Sequence, residues 1–272
     1  MRTHKTYQLG LLGAGRMGRA IGRGAVIKEL ERWQVCAYDP RPEVHEKCKR
    51  EGWKICESEQ DVAHNAHLLL LAVSPEDAGD VLEKIKEEKP ECILSIVTGL
   101  STEEIKSRVG EDVPVIRAIT NSSLPLREGS TALCRSADCP ADEYDFAFQL
   151  FNSMGVARTI PEELLEYTVA VHSSIPAYVY YFTDCLLKDA VSRGFDEEDA
   201  RDLLVETIIG AGRMLAKNSS ASIEELINQV ASIDNTTVDA VNVLKEQKME
   251  EIIHEANSVC VKKAEETAEE IK

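Results

Sequence analysis

The sequence predicts an α/β protein in which a doubly wound, mostly parallel sheet is followed by an all-α region. Between residues 7 and 160, short β-branched or apolar runs alternate with helical stretches, which is the pattern of βαβ units. After Pro161 the apolar residues follow the helical period, and few strand signals remain. Because 272 residues suffice for two domains, we place the domains at 1–160 and 161–272.

Six apolar or β-branched runs are the predicted strands of the first domain, and helices fill the gaps between them. The predicted strands are 8–12, 34–38, 68–73, 92–97, 115–119 and 132–134, and the predicted helices are 17–28, 43–51, 75–87, 101–108 and 142–154. Two helix starts carry specific signals. Pro75 suits a first helical turn because it has no N–H, and Ser101 with Glu104 has the spacing of a capping box.

The second domain is predicted to be helical throughout. Its predicted helices are 162–191, 197–217, 223–230, 236–245 and 250–270. The last helix places Ile252, Ala256, Val259 and Ala264 roughly on one stripe, so it has an apolar face that needs cover. A second subunit or the rest of the chain would provide that cover, and the sequence leaves both possibilities open.

Composition excludes several classes of protein. Apolar residues make up 43% and charged residues 29%, and no run approaches the roughly 18 apolar residues of a membrane span. The short polar lead leaves no room for a signal peptide, so we expect a cytoplasmic location. A net charge of −17 opposes binding to a polyanion, which excludes nucleic acid as a partner.

Cysteine usage indicates reduced thiols. The eight cysteines include no CxxC pair, and most lie in apolar or strand-like runs. Cys134 and Cys139 have no further His or Cys close enough in sequence to complete a ligand set, so we predict no metal site.

A glycine-rich motif follows the first predicted strand. Gly13, Gly15 and Gly18 have the Gly-x-Gly-x-x-Gly spacing at the start of a helix, with Arg16 and Met17 between them. In a Rossmann-type domain the first glycine permits the tight turn, the second lets the backbone approach a pyrophosphate, and the third allows close helix–strand contact. Asp39 ends the second predicted strand, where a carboxylate accepts a hydrogen bond from a ribose hydroxyl. The combination predicts a nicotinamide dinucleotide site.

Two further segments belong to this predicted cofactor site. Asp39 slightly favours NAD(H), because a carboxylate repels the extra phosphate of NADP(H); Arg41 would accommodate that phosphate if Asp39 turned away. The run Ala72-Val73-Ser74-Pro75 ends the strand after the chain crossover, where we expect it to border the nicotinamide ribose. A strand-to-helix turn without chemical consequence is an equally good interpretation of Ser74 alone.

Taken together, several motifs resemble pyrroline-5-carboxylate reductase, a family that reduces a cyclic imine to proline, and the resemblance runs over nearly the whole chain. They are Gly-Ala-Gly-Arg-Met-Gly at 13–18, Ala72 to Pro75, Ser95 with Gly99, Arg117 to Ser123, Glu128 to Leu133, Pro176-Ala177-Tyr178 and Ser232 to Thr237. The resemblance implies a dimerisation role for the C-terminal helices, hence a homodimer or a larger homo-oligomer, and it adds Asn121 to the cofactor-binding residues.

The chain departs from the family pattern at several positions. Ser74 replaces a lysine, the run from His172 to Ile175 replaces Ser-Gly-Ser-Gly, and residues 233–235 replace Pro-Gly-Gly. The last two changes fall where family members bind substrate, and a turn that relied on glycine to approach a carboxylate loses that freedom. The predicted fold and cofactor are unaffected, but the substrate and the activity are left open.

The resemblance also implies the site chemistry. Ser232, Thr236 and Thr237 are expected to bind the substrate carboxylate at a helix N-terminus, although simple helix capping explains the same residues. His172 is a candidate proton donor near neutral pH, or a helix residue with a satisfied hydrogen bond.

Two other functions stay open. A β-hydroxyacid dehydrogenase would need a lysine on the first long helix, and residues 170–188 contain only Lys188. A catalytically degenerate paralogue would bind the dinucleotide as a sensor, which the altered 172–175 and 233–235 segments favour.

Overall fold

The computed structural model describes residues 5–232 and 235–271. The chain divides into two compact units: the residues up to Pro176 together with those from Cys260 onward, and Ala177–Val259. The domain boundary that we placed after residue 160 stays a prediction.

Eight strands of the described chain form one sheet in the order β3-β2-β1-β4-β5-β6-β7-β8. They are β1 (Tyr7–Leu12), β2 (Val35–Tyr38), β3 (Lys54–Ile55), β4 (Ala66–Leu71), β5 (Cys92–Ser95), β6 (Val115–Thr120), β7 (Gly129–Arg135) and β8 (Gly155–Thr159). Neighbouring strands are parallel except for the antiparallel pair β6 and β7. The strand order reverses between β1 and β4, which is the point where open α/β sheets bind ligands.

Helices cover both faces of this sheet. They are α1 (Arg16–Lys28), α2 (Pro42–Glu51), α3 (Glu59–Asn65), α4 (Pro75–Ile85), α5 (Thr102–Val109), α6 (Ala141–Asn152) and α7 (Glu162–Leu165). Strand β4 shows the consequence for the core. Leu68 and Leu70 pack into the hydrophobic cluster on one face, and Leu69 and Leu71 pack into the cluster on the other. A strand buried on both faces is a continuous apolar run, which is why LLLL signals a parallel sheet.

The predicted fold class is confirmed, and three short elements were missed. Strand β3 has only two residues, and β8 lies just beyond the predicted helix 142–154, whose observed counterpart α6 ends at Asn152. Helix α3 begins at Ser58, whose side chain accepts a hydrogen bond from the Asp61 N–H, so its cap was a readable start signal. The predicted starts of α4 at Pro75 and of α5 after Ser101 are both confirmed.

Five further helices complete the chain: α8 (Ile175–Ser192), α9 (Glu197–Lys217), α10 (Ile223–Val230), α11 (Thr236–Glu246) and α12 (Met249–Ile271). The prediction of one helix over 162–191 is wrong. The chain forms α7, then a π-helical turn over Val169–Ser173, and then α8. Pro176 explains the break, because proline lacks an N–H and its ring clashes with the carbonyl four residues earlier.

Length and apolar character decide whether a helix can cross a membrane. None that lies in the described ranges combines the length and the apolar character that a membrane crossing requires.

Candidate active site

The turn from β1 into α1 is built on two glycines that have no room for a side chain. Gly13 has φ +88°, and an added Cβ would lie 2.6 Å from the carbonyl oxygen of Ala72. A Cβ on Gly18 would lie 2.3 Å from the carbonyl oxygen of Gly13. These contacts bring α1 close to β1 and β4, as predicted for the first and third glycines of the motif.

Gly15 has a different environment. A Cβ there would meet only the Arg41 Nη2, at 3.5 Å, so this side of the turn is open. Gly15 is the N-cap of α1, it makes no side-chain cap, and the first turn contains no acidic residue. In contrast, each of the helices α2 to α6 has an acidic residue in its first turn. The positive end of α1 is therefore left for an anion.

Asp39 lies against the glycine turn with only 2% of its surface exposed. Its carboxylate accepts hydrogen bonds from the Ala14 N–H at 3.0 Å and from the Arg41 Nε and Nη2, each at 2.8 Å. Burial by itself raises the pKa of Asp39, but the hydrogen bonds and charge of Arg41 and the Ala14 N–H outweigh it, so the pKa is lowered. The carboxylate thus stays ionised, and its contact with a ribose remains a prediction.

The run Ala72 to Pro75 lies beside this turn at the carboxyl end of β4. The Ala72 N–H donates to the Leu12 carbonyl oxygen at 2.8 Å, which continues the pairing with β1. Ser74 is exposed, and its hydroxyl donates to the Asp77 carboxylate at 2.6 Å. The structure therefore brings Ala72, Val73, Ser74 and Pro75 to the same sheet edge as Gly13, and their cofactor contacts remain predictions.

Asn121 follows β6 at the same edge. Its Nδ2 donates to the Ser130 Oγ at 2.9 Å and to the His172 carbonyl oxygen at 3.3 Å, and its Oδ1 accepts from the Ser123 N–H at 3.2 Å. The Ser173 hydroxyl donates to the Thr120 carbonyl oxygen at 3.1 Å. These bonds fix the π-helical turn against the end of β6. Turns of this kind are frequent at functional sites.

The imidazole of His172 is unusual. Both ring nitrogens are buried and neither has a hydrogen-bond partner among the described residues. Burial lowers the pKa of His172, because removal from water disfavours the charged form. The side chain is therefore neutral near pH 7 and offers one donor and one acceptor. A native buried polar group without a partner requires an explanation, and a ligand is one.

Ser232, Thr236 and Thr237 lie around the start of α11 in the second unit. The N–H groups there are already paired, because the Asn235 Oδ1 accepts from Thr237 at 2.9 Å and from Val238 at 3.1 Å. The Asn235 Nδ2 also donates to the Ser232 Oγ at 3.2 Å. We did not predict this cap, although asparagine directly before a helix is its usual signal. Residues 233 and 234 lie outside the described part of the chain.

The residues of the first unit fit a nicotinamide dinucleotide. The open side of Gly15 and the uncapped start of α1 suit a pyrophosphate, whereas Gly13 and Gly18 are closed by backbone. Asp39 and Arg41 flank the position that suits the adenosine ribose. When bound, such a cofactor supplies hydride chemistry, and the protein supplies position and electrostatics.

Comparison with known proteins agrees with this geometry. Residues 8–99 match the family model described as NADP oxidoreductase, coenzyme F420-dependent, and residues 162–267 match the one described as pyrroline-5-carboxylate reductase dimerisation. Pyrroline-5-carboxylate reductase of Aquifex aeolicus is 29% identical over 89% of this chain and 90% of its own length. The Escherichia coli protein of that name is 28% identical over 95% of this chain and 97% of its own length.

Solved structures of known proteins show the same fold. The pyrroline-5-carboxylate reductase of Coxiella burnetii is 25% identical, with a TM-score of 0.88, over 97% of this chain and 99% of its own. The two family models match the chain in the order that the motifs predicted. Over nearly its whole length the chain is therefore similar to proteins of the pyrroline-5-carboxylate reductase family.

Proposed function

We propose that this protein is an NAD(P)H-dependent reductase of a small cyclic imine, 1-pyrroline-5-carboxylate, which it reduces to proline. The observation that carries the proposal is the uncapped start of α1 beside the open face of Gly15. It supplies a pyrophosphate site in a chain that is related over nearly its whole length to reductases of that name. These relatives do not support the alternative function, that of a hydroxyacid dehydrogenase.

Positioning is the main task of the protein in this reaction. The cofactor, when bound, supplies a hydride to the C=N carbon, and the imine nitrogen is basic enough to enter already protonated. The α1 N-terminus with Arg16 and Met17 holds the pyrophosphate, and the run from Ala72 to Pro75 with Asn121 borders the reactive end. Because the substrate carries its own proton, no strong protein acid is required, and orientation accounts for most of the rate enhancement.

We assign His172 a direct contact with the substrate. A neutral, buried imidazole with two unpaired nitrogens gains most from a ligand that both donates and accepts. Ser232, Thr236 and Thr237 are proposed to bind the substrate carboxylate, which must then displace the Asn235 side chain from the start of α11. His172→Ala should raise KM for the imine about tenfold while leaving the affinity for NADH unchanged.

NADH is the preferred coenzyme in our proposal. Asp39 stays ionised and is held by the Ala14 backbone as well as by Arg41, so its charge remains near a 2′-phosphate. Arg41→Ala removes the compensating cation. We therefore expect the ratio of kcat/KM for NADH to that for NADPH to rise about tenfold, since each 1.4 kcal/mol is a factor of ten. The exposed Arg50→Ala is the control, and an unchanged or lower ratio would refute the preference.

The helices of the second unit are proposed to form a homodimer or a larger homo-oligomer. Within Ala177–Val259 the buried apolar side chains of the described residues are those of Ala200 and Ala231. Tyr181, Leu203 and Ile223 are each more than 60% exposed. A unit of this size with so little core needs a partner surface to bury its apolar side chains.

One assay tests the main proposal. The purified protein is mixed with NADH or NADPH and 1-pyrroline-5-carboxylate, and the loss of reduced-nicotinamide absorbance is followed while proline is quantified. Equal amounts of coenzyme oxidised and proline formed are expected. Tight coenzyme binding with no turnover of any cyclic imine would favour the degenerate sensor, for which the occupied N–H groups at α11 are the supporting observation. Oxidation of a hydroxy acid that His172→Ala abolishes would favour the dehydrogenase.

A further inference from the structure

A buried cation lies in the middle of strand β6. Arg117 is 3% exposed, and its guanidinium pairs with two carboxylates of the segment that follows β8. Its Nη1 donates to the Glu162 Oε1 at 3.0 Å, and its Nη2 donates to the Glu166 Oε1. The Nε is buried without a partner in the described part of the chain. In the sequence, Arg117 is noticeable only as the first residue of the motif from Arg117 to Ser123.

The same two carboxylates hold the loop after β5. Glu162 Oε1 also accepts from the Thr102 N–H at 2.8 Å, and Glu166 Oε2 accepts from the Gly99 N–H at 3.2 Å. Burial raises the pKa of Glu162, but the hydrogen bonds from Thr102 and the pairing with Arg117 outweigh it and keep this carboxyl ionised. The loop over residues 99–102 is thus tied to Arg117 through two charged bridges.

The loop is confined from its other side as well. Gly99 has φ +80°, and an added Cβ would lie 2.9 Å from the backbone nitrogen of Ala268 in α12. Ser101 and Glu104 form a reciprocal capping box directly after it. The loop is therefore confined by α12 on one side and by the two glutamates on the β6 side.

Arg117 also anchors the turn that contains His172. The chain leaves Glu166, forms the π-helical turn, and is fixed again where Ser173 donates to Thr120 and Asn121 donates to His172. One end of this segment is therefore held by Arg117 in the middle of β6, and the other end by Thr120, the last residue of that strand, and by Asn121 directly after it. The loop 99–102 and the turn 169–173 share one anchor.

Stability is a poor explanation for this arrangement. Burial of a guanidinium with one N–H unpaired is expensive, and well-packed apolar residues of similar volume often stabilise a protein more than a buried ion pair does.

The anchored loop follows β5, on the β4–β5 side of the reversal in strand order. A dinucleotide that lies across this crevice places its pyrophosphate at α1 and its other half on that side.

We propose that Arg117 is a positioning residue that, through Glu162 and Glu166, fixes the loop 99–102 and the turn 169–173 along the nicotinamide half of the cofactor site. Of the measurements that test this proposal, only those of turnover, kcat and KM, rest on the proposed function. The other measurements are of binding. ADP-ribose has the adenosine, the pyrophosphate and the second ribose of NADH but lacks the nicotinamide ring, so the ratio of their affinities reports on the part of the site that holds the ring.

The test compares Arg117→Met with the wild type and with Arg135→Met, an exposed arginine on β7. We expect wild-type protein to bind NADH more tightly than ADP-ribose. In Arg117→Met the dissociation constant for ADP-ribose should change less than about twofold, and that for NADH should rise about tenfold. The kcat for the imine should fall by a larger factor than KM rises. Arg117→Lys, which keeps the charge but bridges one carboxylate at a time, should recover part of both losses.

A folding defect is separated by the triple variant Arg117→Met, Glu162→Gln, Glu166→Gln, which removes all three charges and so leaves no unpaired buried charge. It should melt cooperatively, bind ADP-ribose normally and still bind NADH weakly. Wild-type NADH affinity in this variant, equal loss of both affinities in Arg117→Met, or equal wild-type affinities for the two ligands would each overturn the proposal. A wild type that binds both ligands but never reduces an imine would contradict the proposed function and leave the binding test of Arg117 valid.

Discussion

At the scale of single residues, Gly15 and Gly18 differ in the space that surrounds them. A Cβ on Gly18 would run into the Gly13 carbonyl, whereas among the described residues one on Gly15 would meet only the guanidinium of Arg41. Gly15 also has φ −61°, a value that any residue adopts. The two glycines therefore have different roles. The close packing of α1 requires Gly18, whereas the proposed role of Gly15 is to leave room for the cofactor pyrophosphate.

Gly15→Ala tests this difference. We expect the variant to melt within a few degrees of the wild type and to lose dinucleotide affinity at least about tenfold, because the new methyl group occupies the open face. The paired change Gly18→Ala should instead destabilise the protein by about 2 kcal/mol through overpacking. Thermal melts and NADH titrations of both variants measure this. Normal NADH binding by Gly15→Ala would contradict the assignment of the pyrophosphate to this turn.

Asn235 provides a second test at this scale. Replacement of an asparagine N-cap by glycine costs only a few tenths of a kcal/mol, and it frees the Thr237 and Val238 N–H groups for a substrate carboxylate. We expect Asn235→Gly to lower KM for 1-pyrroline-5-carboxylate several-fold without a change in coenzyme affinity. Ser222→Gly removes the N-cap of α10 in the same unit and should leave KM unchanged. A higher KM in Asn235→Gly would show that its side chain binds substrate itself.

Some of these residue roles were readable in the sequence and others were not. The close packing of Gly13 and Gly18 and the position of Asp39 beside them depend on local backbone geometry, so their spacing was sufficient to predict both. Arg117 acts through Glu162 and Glu166, which are more than forty residues away and meet it only in the folded chain. No local pattern distinguishes such a buried arginine from a surface one.

At the scale of elements, a charged cluster joins β4 to the start of α6 at the amino end of the sheet. The His67 Nδ1 lies 2.5 Å from Glu91, and its Nε2 pairs with Glu143 in the first turn of α6. Glu29 and Asp142 line the same small cavity. Pairing with Glu143 and Glu91 outweighs the opposing effect of burial and raises the pKa of His67 to about 9.

This cluster predicts a dependence of stability on pH. The folded-state pKa lies above the ordinary value of 6.5, so the protonated imidazole stabilises the protein fully below pH 6.5, and this contribution is lost as the pH rises through 9. We expect a loss of about 2 kcal/mol, after a reduction for partial exposure. Chemical denaturation from neutral to alkaline pH measures it.

His67→Gln should remove most of that loss, since glutamine does not titrate. His64→Gln is the matched control, because His64 pairs with Glu88 but its side chain is 73% exposed. Parallel pH profiles for the wild type and His67→Gln would show that other groups are responsible.

The elements themselves were mostly predictable. Helices α9 and α10 begin and end where the periodicity placed them, and every predicted strand is present within a few residues. The prediction of a single helix over 162–191 failed for a definite reason. Apolar periodicity continues across residues 168–176 although the backbone hydrogen bonds change there from the α to the π pattern, with the Ser174 N–H donating to the Val169 carbonyl.

At the scale of the whole molecule, the second unit exposes the apolar side chains that its proposed partner would cover. Leu203→Asp places a charge on an exposed position of α9, where the wild-type side chain is 64% exposed. We expect the variant to dissociate to monomers, because burial of an unpaired carboxylate opposes association. Light scattering after size-exclusion chromatography gives the mass directly.

Leu126→Asp is the matched control, since Leu126 lies in the first unit and is 75% exposed. It should keep the mass of the wild type. An unchanged mass for Leu203→Asp at micromolar concentration would place any subunit contact elsewhere. The sequence had left this open, because an apolar stripe on a helix looks the same whether its own chain or another chain covers it.

The return of the chain to its first unit has a consequence for synthesis. Residues from Cys260 onward pack with the residues up to Pro176, and Ala268 closes against Gly99. A ribosome that has made only the dinucleotide-binding segment therefore holds a nascent chain whose Gly99 turn is uncovered. The sheet can assemble early, but the unit is completed only after Ala177–Val259 and the residues from Cys260 onward have also been made.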